Sequence, residues 1–152
     1  MNQIDYLWYL NNNLPSMVPL SFREIANRLK ATDLPETDLV IGIGTGGIVP
    51  ASLVAFHLNA ELRIITLNYR DEKNNPRFEE PVVLNMPSNL ELEGKKILLV
   101  DDVSVSGKTL NAALELLKGV QVTTLTMKGK AADIILFPEV KDCVKWPWKE
   151  QA

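Results

Sequence analysis

Residues 97–110 read Ile-Leu-Leu-Val-Asp-Asp-Val-Ser-Val-Ser-Gly-Lys-Thr-Leu. The four leading apolar residues have the unbroken pattern of a strand covered on both faces. They end in two adjacent carboxylates, Asp101 and Asp102. A short Ser/Gly loop follows, and Lys108-Thr109 opens an amphipathic helix carried by Leu110, Leu114, Leu116 and Leu117. Carboxylates at a strand's carboxyl end, beside a helix start, give one place two abilities. Hydroxyls or a hydrated cation bind on one side, and an anion binds on the other.

The same strand–turn–helix grammar recurs upstream. Residues 39–43 form a short apolar strand, Gly44-Thr45-Gly46-Gly47 a glycine turn, and 48–58 a helix. Ser21-Phe22-Arg23-Glu24 has capping-box spacing, and Phe22, Ile25, Ala26 and Leu29 recur at helical intervals, which predicts a helix over 21–31. Residues 4–10 are apolar enough for a shorter helix, and Pro15 and Pro19 break the connection. Strands are predicted over 62–67, 82–85, 120–127 and 134–137, with helix 108–118 stopped by Gly119. Residues 68–81 are polar and charged, the pattern of a long mobile loop. Nearly continuous apolar strands alternating with helices predict an α/β fold: a mostly parallel twisted sheet with helices on both faces.

Composition bounds the rest. A chain of 152 residues with 46% hydrophobic and 23% charged residues fits one globular domain. A net charge of −3 gives no reason to expect nucleic-acid binding. No apolar run reaches the roughly 20 residues that cross a bilayer, and no secretory signal pattern opens the chain, so a cytoplasmic protein with no membrane partner is expected. The single cysteine, Cys143, excludes an internal disulfide and reads as a small core or edge residue.

Three elements could carry chemistry. Gly42-x-Gly44-x-x-Gly47 fits a dinucleotide-binding turn, but that reading needs an acid at the end of the next strand, where Asn68 stands; Glu61 falls at its start. Such a turn also lets backbone N–H groups converge on a phosphate, or simply joins strand to helix. Ser106-Gly107-Lys108-Thr109 ends like a P-loop but has Asp102 where that motif needs glycine. Its hydroxyls and helix-start N–H groups still suit a phosphate monoester; a plain helix cap with a solvated lysine is the alternative. Asp101 and Asp102 would face opposite ways within a strand, and both reach the crevice only where the backbone turns at the strand's edge. Two phosphate-type loops flanking a carboxylate pair imply a ligand with two separated phosphates and a sugar diol between them.

At this point the chain resembles the type I phosphoribosyltransferases. Their motif for 5-phosphoribosyl-1-diphosphate (PRPP) is an apolar strand, two acids, a short loop and a Gly-x-Thr/Ser helix start, and residues 100–110 match it closely. The resemblance extends to residues 41–50, the family's pyrophosphate loop, and to Asn68-Tyr69, where purine enzymes often show Ser-Tyr. It includes the ending around Pro147-Trp148, similar to short bacterial xanthine–guanine and hypoxanthine enzymes.

The resemblance implies Mg²⁺-dependent transfer of phosphoribosyl from PRPP to a nucleobase, in purine salvage, by a homodimer. It implies that Asp101 and Asp102 contact the ribose hydroxyls, directly or through Mg²⁺ and its waters. Val105, Ser106, Gly107, Lys108 and Thr109 would hold the 5′-phosphate, and Thr45, Gly46 and Gly47 the pyrophosphate. Lys128 matches the lysine that reads a purine 6-oxo group, with a solvated loop lysine as the alternative; Val144 would line the same base site. The whole chain would be one domain, with a core over about 36–128, a hood from about 1–20 and 129–150, and a lid over about 69–81.

Three departures stand out. Val105 occupies the position of an aspartate that contacts the purine N7, and Thr45 that of a basic pyrophosphate-loop residue. Cys143 aligns with a base-stacking tryptophan, which leaves stacking to Phe137, Trp146 or a backbone shelf. PRPP binding is thus better supported than the choice of base, and a PRPP- or nucleotide-sensing protein without catalysis is the alternative.

Overall fold

The computed structural model describes residues 3–5, 7–8, 16–68 and 79–149. In chain order the elements are β1 (Met17–Pro19), α1 (Phe22–Ala31), β2 (Leu39–Gly44), α2 (Ile48–Leu58), β3 (Glu61–Asn68), β4 (Val82–Asn85), β5 (Ile97–Ser104), α3 (Lys108–Leu116), β6 (Val122–Gly129), β7 (Ile134–Ile135) and β8 (Cys143–Lys145). Residues 3–5 and 7–8 are helical as well. The expected loop or lid lies mostly outside the described residues, since 69–78 are not among them.

Six strands form one sheet in the order β4-β3-β2-β5-β6-β7, parallel except for the antiparallel β3–β4 pair. From β2 the chain steps outward to β3, and from β5 it steps outward the opposite way to β6. Right-handed crossovers then require α2 and α3 on opposite faces. The core divides accordingly. Val40, Leu98, Val100, Leu125 and Met127 pack with Ile25 and Leu29 of α1 and with Ala51, Val54 and Ala55 of α2. Leu39, Ile41, Ile43, Ile97 and Leu99 pack with Leu110 and Ala113 of α3. The alternation along β5 (Ile97 and Leu99 to one side, Leu98 and Val100 to the other) is the period of a strand covered twice.

Local chemistry explains the boundaries. Ser21 Oγ accepts the Glu24 N–H at 3.1 Å and the Glu24 carboxylate accepts the Ser21 N–H at 2.7 Å, the reciprocal cap that starts α1. The α3 helix ends at Leu116, two residues before the expected end, and Gly119 follows at a φ of +87°. The strand expected over 134–137 pairs only at Ile134–Ile135. Two differences matter for the site. The β5 strand does not stop at Val100 but runs through both aspartates to Ser104, because Asp101, Val103 and Ser104 keep their register with Thr126, Lys128 and Gly129. For the same reason β6 includes Lys128, which had been expected just beyond it.

A second, two-stranded sheet was not foreseen. Met17, Val18 and Pro19 of β1 pair in parallel with Cys143, Val144 and Lys145 of β8. Pro19 is tolerated there because a strand with one neighbour leaves half its N–H groups unused. Arg28 ties this assembly to α1: its guanidinium donates to the Leu136 carbonyl and the Glu139 carboxylate and lies 4.4 Å from the Phe137 ring centroid.

Leu98 is fully buried in the centre of the sheet. Leu98→Ala is expected to lower unfolding free energy by about 2–5 kcal/mol, read from urea denaturation, because the two-sided core cannot collapse into the void.

Candidate functional site

Neighbouring strands whose connections leave in opposite directions open a crevice beyond their carboxyl ends. Here that point lies between β2 and β5, and the turn after β2 and the loop after β5 form its two rims. A cleft of about 860 Å³ occupies it, open to solvent. Its walls include Thr45 and Gly46 from the first rim, Asp101 and Asp102 from β5, and Val105, Ser106, Gly107, Lys108 and Thr109 from the second. Lys128 from β6, and Val144, Trp146, Trp148 and Lys149 from the end of the chain, complete it. Of the residues expected to hold PRPP, metal or base, Gly47 does not line the cleft, and neither does the stacking candidate Phe137. Gly47 is buried beneath the turn, where a Cβ would lie 2.6 Å from the Ile43 carbonyl oxygen and 2.8 Å from that of Val100.

The two aspartates lie within a strand, yet both reach the cleft. Asp101 is 7% exposed, and its Oδ1 accepts the Asp102 N–H at 2.8 Å. Asp102 lies against the first rim: a Cβ on Gly46 would fall 2.8 Å from each carboxylate oxygen. Its Oδ1 accepts the Val103 N–H at 2.8 Å, and its Oδ2 lies 3.4 Å from Lys149 Nζ. Burial, reinforced by the negative charge of Asp102, holds Asp101 well above the usual carboxylate range. Among the described residues no three His, Cys, Asp or Glu side chains converge on one point. A hard cation at this pair would therefore take most of its oxygen ligands from substrate and water, which is the habit of Mg²⁺. The donor set fits that ion.

The second rim is an anion-binding shape. Gly107 precedes α3 at a φ of +80°, a conformation that favours glycine, and Ser106 Oγ accepts the Lys108 N–H at 3.4 Å. Lys108, Thr109 and Leu110, the first residues of α3, line the cleft, and the N–H groups of a helix's first turn have no partner within the helix. Opposite, Lys128 Nζ donates to the Asp142 carbonyl, so it is a half-buried strand lysine and not a solvated loop one. Val105 is 68% exposed on the cleft wall.

Three alternatives left open at the end of the chain are decided. Cys143 is an exposed edge residue, not a core one. Phe137 is buried beneath Arg28 and does not line the cleft, which removes it as a stacking partner. Trp146 does line it, stacked on Trp148 with ring centroids 4.9 Å apart and 13° between planes. Trp148 and Lys149 were missed because the pairing of β1 with β8, which brings them over the cleft, has no local sequence signal. The dinucleotide reading fails on position: Glu61 stands at the start of β3, ion-paired with Arg63 at 2.8 Å and Lys95 at 3.1 Å.

A doubly covered, mostly parallel sheet whose central crevice is rimmed by two turns around a carboxylate pair defines the class of the protein as α/β. The chain belongs to the phosphoribosyl transferase domain family, whose sequence profile matches residues 20–130. It is 33% identical over 119 residues to the orotate phosphoribosyltransferase of Saccharolobus solfataricus, covering 76% of this chain and 51% of that one. It is 35% identical over 92 residues to the transcriptional regulator GfcR of Methanococcoides burtonii, covering 60% and 43%. The chain thus spans about half the length of these curated relatives. In fold it is similar to the purine phosphoribosyltransferase of Pyrococcus horikoshii, with a TM-score of 0.71 at 24% identity over 90% of this chain and 96% of that one.

Asp101→Asn keeps the shape and removes the buried charge. An acid held above its unfolded value of about 3.9 carries no penalty at lower pH, and the penalty grows as pH rises toward the folded value. In protein without divalent cations, the variant is therefore expected to melt above the wild type at pH 7, the gap closing toward pH 4. Scanning calorimetry across that range checks it; a gap that widens on acidification would contradict the burial argument.

Proposed function

We propose that this chain transfers phosphoribosyl from PRPP to a nucleobase nitrogen and releases pyrophosphate. The observation that carries the reading is the cleft itself, where a carboxylate pair stands between two rims rich in backbone N–H groups. In this reading Asp101 and Asp102 hold the ribose hydroxyls, and the loop from Val105 to Thr109 holds the 5′-phosphate. Thr45 and Gly46 meet the pyrophosphate, and Gly47 sets their height. The core over 36–128 then carries the donor, and the terminal segments cover the acceptor.

The chemistry asks for positioning more than for covalent help. As the bond from C1 to the pyrophosphate oxygen lengthens, its electron pair passes to the leaving group and positive charge develops on the ribose. Fixed N–H donors at the first rim stabilise the departing anion without reorganising. Asp101 and Asp102 would hold a Mg²⁺ ion, which would supply positive charge against the pyrophosphate. The incoming nitrogen bonds to C1 from the other face, and its proton leaves to solvent, since no carboxylate other than Asp101 and Asp102 lines the described cleft.

Lys128 and Val144 support an acceptor with an exocyclic oxygen, held against the edge of β8 and the Trp146 ring. A salvage role for a 6-oxopurine in the cytoplasm fits that end of the cleft; among the described residues no helix is long and apolar enough to cross a membrane. Pairing of two copies is supported by Phe56, 89% exposed on α2. Phe56→Glu is expected to convert a dimer to monomers in light-scattering chromatography.

A second reading keeps the ligand and drops the turnover. Exposed Val105 and the similarity to a protein named as a transcriptional regulator favour PRPP or nucleotide sensing. Pyrophosphate release from PRPP with a panel of nucleobases separates the two, since a sensor binds PRPP and turns over with none of them.

The double variant Asp101→Asn/Asp102→Asn tests the site shared by both readings. It is expected to lose calorimetric PRPP binding, and to lower transfer by at least about a hundredfold where transfer occurs. Unchanged affinity in the double variant would overturn the assignment.

A further inference from the structure

The first rim is short of positive charge. Residues 44–47 are Gly-Thr-Gly-Gly, and the carboxylate of Asp102 lies directly against Gly46. A pyrophosphate arriving there would meet backbone N–H groups and a like charge. Backbone donors alone leave much of that repulsion standing in a partly desolvated cleft.

Three described lysines line the cleft, and they divide it. Lys108 opens α3 at the second rim and donates to the Glu79 carbonyl at 3.3 Å. Lys128 lies on the acceptor side, on the Asp142 carbonyl. Lys149 differs from both: its Nζ stands 3.4 Å from Asp102 Oδ2, the carboxylate that abuts Gly46. Its ammonium is therefore at the first rim, although its backbone belongs to the end of the chain.

The way Lys149 is mounted suits a movable charge. Its N–H donates to the Trp146 carbonyl at 3.2 Å, and Trp146 is buried and stacked on Trp148. The base of the side chain is thus fixed to the core. The side chain itself is 56% exposed, and an ion pair so open to water contributes little. A firm root and a weak tip contact allow the ammonium to change partners at little cost.

We propose that Lys149 is the pyrophosphate-binding cation of this cleft. In the free protein it rests on Asp102. When the donor binds, it swings to the pyrophosphate, which frees Asp102 for the ribose hydroxyls or a hydrated cation. The negative charge that develops on the leaving oxygen then falls beside the ammonium. Position 45 needs no basic side chain, because the end of the chain supplies the charge from across the cleft. The inference rests on the phosphoribosyl reading above.

The test titrates two probes, inorganic pyrophosphate and ribose 5-phosphate, into wild type, Lys149→Met and Lys149→Arg by calorimetry at constant Mg²⁺. Lys149→Met is expected to weaken pyrophosphate binding by about tenfold or more, the loss of one charge-assisted contact. Ribose 5-phosphate affinity and melting temperature should stay at wild-type values, and Lys149→Arg should restore pyrophosphate binding. Unchanged or tighter pyrophosphate binding in Lys149→Met would show that the lysine only blocks Asp102, and equal loss of both probes would show a general disturbance. Either result overturns the inference while leaving the phosphoribosyl reading intact. Wild-type protein that binds neither probe sinks that reading, and this inference with it.

Discussion

The absence of a side chain at Gly47 is the constraint on which the site depends. Its Cα is wedged between the carboxyl ends of β2 and β5, where a Cβ would be 2.6 Å from Ile43 O, 2.8 Å from Val100 O and 3.1 Å from Asp101 Cα. All three are backbone atoms in the middle of a sheet and cannot yield without moving strands. Because the turn can sink this far, the Gly47 N–H reaches Ile43 O at 2.8 Å and the Gly47 carbonyl accepts from Ala51 N at 2.9 Å, which starts α2. The same descent brings Gly46 against Asp102. One missing methyl group thus fixes the helix, the first rim and the distance from that rim to the carboxylates.

Such a site works against the stability of the fold that carries it. The central sheet buries Asp101 beside a second carboxylate, an arrangement that raises its proton affinity and costs folding energy whenever it is charged. Among the described residues, the register partner of Asp101, Thr126, has a buried hydroxyl with no hydrogen-bond partner, and so does Ser104 at the end of β5. The strand's regular pairing and the apolar layers on both faces offset these losses. Unsatisfied polar groups gathered at one end of an otherwise saturated sheet mark where stability has been given up for ligand chemistry.

What was legible in the sequence was whatever is local. The capping box at Ser21–Glu24, the uninterrupted apolar strands and the strand–turn–helix grammar at 39–58 and 97–116 each declare themselves within twenty residues. The extent of β5 was misread because two adjacent carboxylates look like the end of a buried strand. Pairing with β6 holds them in register regardless, an instance of tertiary context overriding propensity. The pairing of β1 with β8 joins residues more than a hundred positions apart, and nothing in Met17-Val18-Pro19 or Cys143-Val144-Lys145 announces it. The cleft was therefore readable at its two rims, which local loops build, and opaque at the wall that the long-range pairing assembles.

The same division bears on how specificity is set. The two rims are backbone features locked to the sheet by Gly47 and by the start of α3, so they resist change without loss of the fold. The wall built by the end of the chain is different in kind. Val144 lies on a strand with a single partner, Trp146 and Trp148 stack on each other, and Val105 projects from a loop tip. Substitutions there alter one contact at a time and leave the six-stranded sheet untouched. A fold so arranged can keep one side of its cleft fixed while the other varies, and the chain's own Val105 and Cys143 are variations of that kind. Both line the cleft, and neither pairs within the central six-stranded sheet.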